Sequence, residues 1–130
     1  MNLMIFNVVN LFYAFLFWPP FEYCLHYGLH FIHEPRHKLH HIIVHNNNLK
    51  NFDSFDDLEY FYFILPVLFV MDYPILFLGS SWYFSIHTLT HFKPELIPIL
   101  ANHHIRHHRN PNFNFGITNT FYDYLFGTKI

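Results

Sequence analysis

The chain has 130 residues, which suits one domain, and 1–130 is read as a single unit. Hydrophobic residues make up 52% and charged residues only 12%, against about 25% charged in an ordinary soluble domain, so the composition favours a membrane or a very apolar core. With 7 Lys plus Arg, 9 Asp plus Glu and a formal charge of −2 there is no case for binding nucleic acid by bulk charge. The single cysteine, Cys24, excludes an intrachain disulfide and any cysteine-built zinc site.

Residues 1–21 carry no charged side chain. No basic segment precedes the first apolar run and no small-x-small cleavage site follows it, so it reads as mature structure rather than a signal peptide. The stretch "LMIFNVVNLFYAFLFW", 3–18, is expected to span a membrane. As a helix it covers roughly 24 Å at about 1.5 Å per residue, against about 30 Å for a bilayer core. To cross fully it must continue through Pro19-Pro20.

Residues 22–58 change character and carry seven histidines with most of the acids. They read as a helix leaving the membrane followed by a polar segment. "DSFDDLE", 53–59, resembles a helix start, with Asp53 or Ser54 as N-cap and acids in the first turn. Residues 60–92 are apolar again, with Asp72 the one charge and "MDYPI", 71–75, a dividing turn. A helical hairpin is expected there, with arms near 57–71 and 74–92. All seven Lys and Arg lie in the two polar segments. The positive-inside rule therefore puts both segments in the cytoplasm, with one crossing, one hairpin and the N-terminus on the far side.

The 13 histidines carry the chemical signal. Positions i, i+3 and i+4 share a helix face. "HYGLH" places His26 and His30 that way, "HKLHH" places His37, His40 and His41, "HTLTH" places His87 and His91, and "HIRHH" places His104, His107 and His108. His33, His45 and His103 fall outside these groups. Solvated helix faces, a metal-sequestering tract, or an interfacial cap at His87 and His91 are the bland readings. A recurring spacing speaks against them. Neutral imidazoles brought together each need a donor and an acceptor satisfied, and protonated ones repel. A divalent metal removes both problems by taking the lone pairs, and imidazole suits Zn, Fe, Cu and Ni. One structural zinc takes about four ligands, so ten histidines imply two metals of about five each, with room for an exogenous ligand. A pH-responsive module would need many histidines but no convergence.

In order, HxxxH, HxxHH, a later HxxxH and HHxxHH, followed by Asn114, Gly116, Asp123 and Phe126-Gly127-Thr128, the chain resembles the fatty acid hydroxylase superfamily, which includes sterol desaturases, over about residues 22–128. The densest part is "NHHIRHHRNPNFNFGITNTFYDYLFGT", 102–128. The resemblance implies an all-α integral membrane protein with a cytosolic histidine-rich helical cap. It implies a non-haem di-iron centre on His26, His30, His37, His40, His41, His87, His91, His104, His107 and His108, with zinc a substitute in purified protein. It further implies O2 as co-substrate, electrons from NAD(P)H through cytochrome b5 or a reductase, a fatty acyl or sterol lipid as substrate, and a cytosol-facing site at the endoplasmic reticulum if the source is eukaryotic. No catalytic residue beyond the metal centre is expected. Around the ligands, Asp123, His103 and Asn114 are the supporting candidates; Asp123, Glu22 and Glu95 are expected to orient ligand imidazoles through their second nitrogen.

Two residues depart from the family pattern: Tyr27 follows His26 where arginine is usual, and Tyr122 precedes Asp123 where tryptophan is common. The chain is also short, so part of an N-terminal transmembrane hairpin is expected to be missing. The alternative to a lipid hydroxylase or desaturase is a non-catalytic membrane metal-binding remnant of the family.

Overall fold

The computed structural model describes residues 8–46 and 73–130. The expected hairpin arm at 57–71 and the helix start at Asp53 or Ser54 lie outside the described residues. Among the described residues every regular element is helical. They are α1 (Val8–Phe31), α2 (Pro35–Asn46), α3 (Tyr73–Phe92), a 3₁₀ turn (Pro94–Leu96), α4 (Pro98–Arg109) and α5 (Phe121–Leu125). The second hairpin arm expected at 74–92 is α3.

Helix α1 runs on through Pro19 and Pro20 to Phe31. At about 1.5 Å per residue its 24 residues cover about 36 Å, and it is long and apolar enough to cross a membrane by length and composition. The two prolines lack N–H groups, so the carbonyls of Phe15 and Leu16 lose their helical donors. Its N-terminal half leaves large apolar side chains outside: Val8, Phe12 and Phe15 are exposed, whereas Ala14 and Trp18 are buried. Its C-terminal half turns polar and inward, with Glu22, His26 and Leu29 buried.

The helix ends in a left-handed cap. His33 has φ 52°, and the Glu34 N–H reaches back to the Leu29 carbonyl at 3.0 Å, the pattern that satisfies the last carbonyls of a helix. His33 is thus the exposed turn residue between α1 and α2. Helix α2 starts at once. Pro35 occupies its first position, where no N–H is needed, and the Glu34 carboxylate accepts from the His37 N–H at 2.6 Å, serving as N-cap.

Helices α1 and α3 pack through a small core of Trp18, Leu29, Leu76, Tyr83 and Ile117. Gly79 on α3 permits the closest approach, because a β-carbon there would run into the Trp18 indole. After α4 the chain is irregular from Asn110 to Thr120 and returns past the C-terminal half of α1. That passage positions the site.

Candidate metal centre

Four helices deliver the ten histidines, and the structure sorts them into two groups of five. His26, His30, His37, His41 and His107 form one, here centre A; His40, His87, His91, His104 and His108 form the other, centre B. Within each group one ring nitrogen per residue lies within 4.8 Å of all the others. The HxxHH segments are divided between the groups. On α2 the i, i+4 pair His37 and His41 serves centre A and His40 serves centre B. On α4 the i, i+4 pair His104 and His108 serves centre B and His107 serves centre A. Each centre thus takes a pair from one long helix, a pair from one HxxHH segment and a single ring from the other.

The Nε2 atoms are the converging ones. In centre A, His37 lies 2.8 Å from His30, 3.1 Å from His26 and 3.2 Å from His41. His107 lies 3.0 Å from His30 and 3.1 Å from His41. In centre B, His104 lies 3.0 Å from His87, 3.1 Å from His91 and 2.9 Å from His108. With a metal–nitrogen distance of about 2.1 Å, ligands at right angles sit about 3.0 Å apart and tetrahedral ones about 3.4 Å apart. These separations of 2.8 to 3.2 Å are short enough for the named nitrogens of a centre to share one ion. The centres adjoin, the rings of His41 and His108 being 4.5 Å apart between centroids.

Burial keeps the rings neutral. Desolvation, followed by the repulsion each neighbouring imidazolium would exert, holds His37, His40, His104, His107 and His108 well below the usual histidine range. The same causes bring His41 down to about 3. Neutral imidazole is the form that ligates metal.

Backbone carbonyls fix which nitrogen is free. The His26 Nδ1 lies 2.5 Å from the Phe115 carbonyl oxygen and the His107 Nδ1 lies 2.7 Å from that of Phe113. A carbonyl can only accept, so both Nδ1 atoms carry the proton and both Nε2 lone pairs face centre A. In centre B the Tyr83 hydroxyl stands 3.4 Å from the His87 Nδ1. Two five-imidazole sets, convergent and free of sulfur, fit divalent transition metals such as iron or zinc.

The supporting residues act differently from the expectation. Asp123 is fully buried and does not face a ligand imidazole. Its Oδ1 accepts from the Phe115 N–H at 2.7 Å and the Thr128 hydroxyl at 2.8 Å. Its Oδ2 accepts from the Gly116 N–H at 2.7 Å and pairs with the His103 Nε2 at 2.9 Å. Both oxygens are saturated. Glu22 accepts from the N–H groups of Ile117 and Thr118 at 2.6 and 3.0 Å and from the Thr118 hydroxyl at 2.6 Å. Glu95 is exposed beside Lys93. The acids therefore hold backbone and His103, with no lone pair of Asp123 left for a ligand. Asn114 adopts φ 57° and its side-chain oxygen accepts from the Ile130 N–H at 3.0 Å, so it turns the loop and ties down the C-terminus. The side chain of His45 lies outside the described residues. The carbonyls of Phe113 and Phe115 were not foreseen, since a backbone acceptor leaves no mark in residue type.

Fold and site together define a helical protein built around a double histidine cluster. The family description "Fatty acid hydroxylase" matches residues 11–128, and the chain belongs to the fatty acid hydroxylase family. The match begins before the first histidine box and takes in much of the apolar half of α1. Neither the curated proteins nor the solved structures give a match.

Proposed function

We propose that the chain is a membrane-bound, O2-dependent non-haem di-iron oxygenase that hydroxylates or desaturates a lipid, fatty acyl or sterol. The observation that carries this reading is the division of ten histidines into two adjoining sets of five, in a chain of the fatty acid hydroxylase family. Bound iron supplies the reduction of O2 and the oxidation of an unactivated C–H bond, with electrons from NAD(P)H through cytochrome b5 or a reductase.

The chain's own residues hold and shield. Five imidazoles around each ion would leave a position for an exogenous ligand on an ion that takes six. Burial of His26, His87, His104 and His107 keeps bulk water from the ligands. The outward Phe and Val side chains of α1 suit contact with lipid tails. In this reading α1 crosses the bilayer, the histidine helices form a cap on the cytosolic face, and the membrane is the endoplasmic reticulum if the source is eukaryotic.

Oxygen uptake by the purified chain tests this, with a chemical reductant and a lipid extract, alongside lipid profiling of cells expressing the chain or its His107→Ala variant. The reading predicts lipid-dependent O2 consumption and a new hydroxylated or unsaturated lipid, both lost in His107→Ala. A chain that binds metal yet consumes no O2 with any lipid would be a non-catalytic metal binder instead.

A further inference from the structure

The amide groups of Phe115, Gly116, Ile117 and Thr118 are four in a row, and every one donates to a buried carboxylate. The first two go to Asp123 and the second two to Glu22. Each carboxylate must be stripped of water to accept these bonds, which is costly unless they are well made. Here the arrangement has a directional result.

A peptide unit is planar, with its C=O and N–H pointing opposite ways. The Phe115 carbonyl and the Gly116 N–H belong to one unit. Asp123 holds the N–H side at 2.7 Å, so the oxygen on the other side is aimed at the His26 Nδ1. The Phe113 carbonyl and the Asn114 N–H belong to another. That N–H donates to the Thr128 carbonyl at 2.8 Å, and Thr128 donates its hydroxyl to the Asp123 carboxylate and its N–H to the Asp123 backbone carbonyl, each at 2.8 Å. The oxygen of this unit is aimed at the His107 Nδ1. Gly116 is needed for the first contact, because a β-carbon there would meet both the Asn119 carbonyl and the Asp123 carboxylate. Glu22 lies one turn before His26 on α1, so one helix carries both a ligand and the anchor of the loop that orients it.

Both oriented rings belong to centre A. In centre B the Nδ1 atoms of His104 and His108 are buried with no hydrogen-bond partner among the described residues.

We propose that Asp123 and Glu22 are positioning residues for centre A, holding its ion through the 113–118 loop and the rings of His26 and His107. This rests on the reading of the ten histidines as ligands. Partners that orient metal-bound imidazoles are worth about 10- to 100-fold in metal affinity, and that is the size of effect expected at centre A.

The test is cobalt(II) titration of the metal-stripped full chain, followed by visible absorption, in two backgrounds. His87→Ala/His91→Ala/His104→Ala leaves centre B two imidazoles and reports on A; His30→Ala/His37→Ala/His41→Ala leaves A two and reports on B. Adding Asp123→Asn is expected to weaken cobalt binding about 10- to 100-fold in the first background and less than about twofold in the second. Helix content by circular dichroism should stay unchanged. Glu22→Gln in the first background gives an independent version if Asp123→Asn does not fold. Equal weakening in both backgrounds, or none in the first, would overturn the inference while leaving the ligand assignment standing. A parent chain that takes up no cobalt would overturn both.

Discussion

The Nδ1 of His26 lies 2.5 Å from the carbonyl oxygen of Phe115, 89 positions later in the chain. That one contact joins the first histidine box to the loop after the last one, and it converts an ambiguous imidazole into one with a defined free nitrogen. His107 repeats the device with Phe113 from within its own segment. The site is therefore a property of the closed fold, since its parts come from both ends of the described chain.

His107 and His108 are neighbours that serve different centres. Replacing both, His107→Ala/His108→Ala, removes one ligand from each. Because even supporting contacts cost about 10- to 100-fold, loss of two ligands is expected to lower lipid oxidation by more than about 100-fold, read by product formation per chain. Normal turnover in this variant would mean that the assigned site is wrong.

Gly79→Ala tests how α1 and α3 meet. The added methyl would enter the ring of Trp18, which is 2% exposed and has no room to swing away. Overpacking of this kind costs about 1–3 kcal/mol, to be seen as a lower denaturation midpoint in detergent. An unchanged midpoint would show that the two helices pack less closely than the structure has them.

Acid should destabilise the metal-free chain. Burial lowers His41 to about 3 in the folded state, while an unfolded histidine titrates near about 6.5. Between those values the unfolded chain binds protons that the folded chain refuses. The stability contributed by the neutral ring is therefore fully present above about 6.5 and is lost as pH falls from there toward about 3. His37, His40, His104, His107 and His108 shift the same way. Urea midpoints of the metal-free chain should fall between about pH 7.5 and pH 5; a flat or rising series would contradict neutral burial.

Much of the site was legible in the sequence because helical periodicity is local. The i, i+3, i+4 spacing places His37, His40 and His41 on one face whatever the rest of the chain does, and α2 and α4 have that geometry. Spacing did not show how each triplet would split between two centres, since that depends on where α1 and α3 cross. Asp123 was visible through its place in the motif that carries the family resemblance, yet its partners are backbone amides, the Thr128 hydroxyl and His103 rather than a ligand imidazole. The choice between an imidazole and an amide is made by a turn at Asn114, not by residue type. The course of α1 through Pro19-Pro20 was likewise open, because a proline pair bends or ends a helix according to what packs beside it.

The central claim is that the ten histidines hold two metal ions. Its most direct test is elemental analysis of the folded chain purified after expression with ample iron. The account predicts about two metal ions per chain, iron with zinc as a possible substitute, falling to about one in His87→Ala/His91→Ala/His104→Ala. A metal content near zero, with all ten histidines intact and the helices formed, would contradict it.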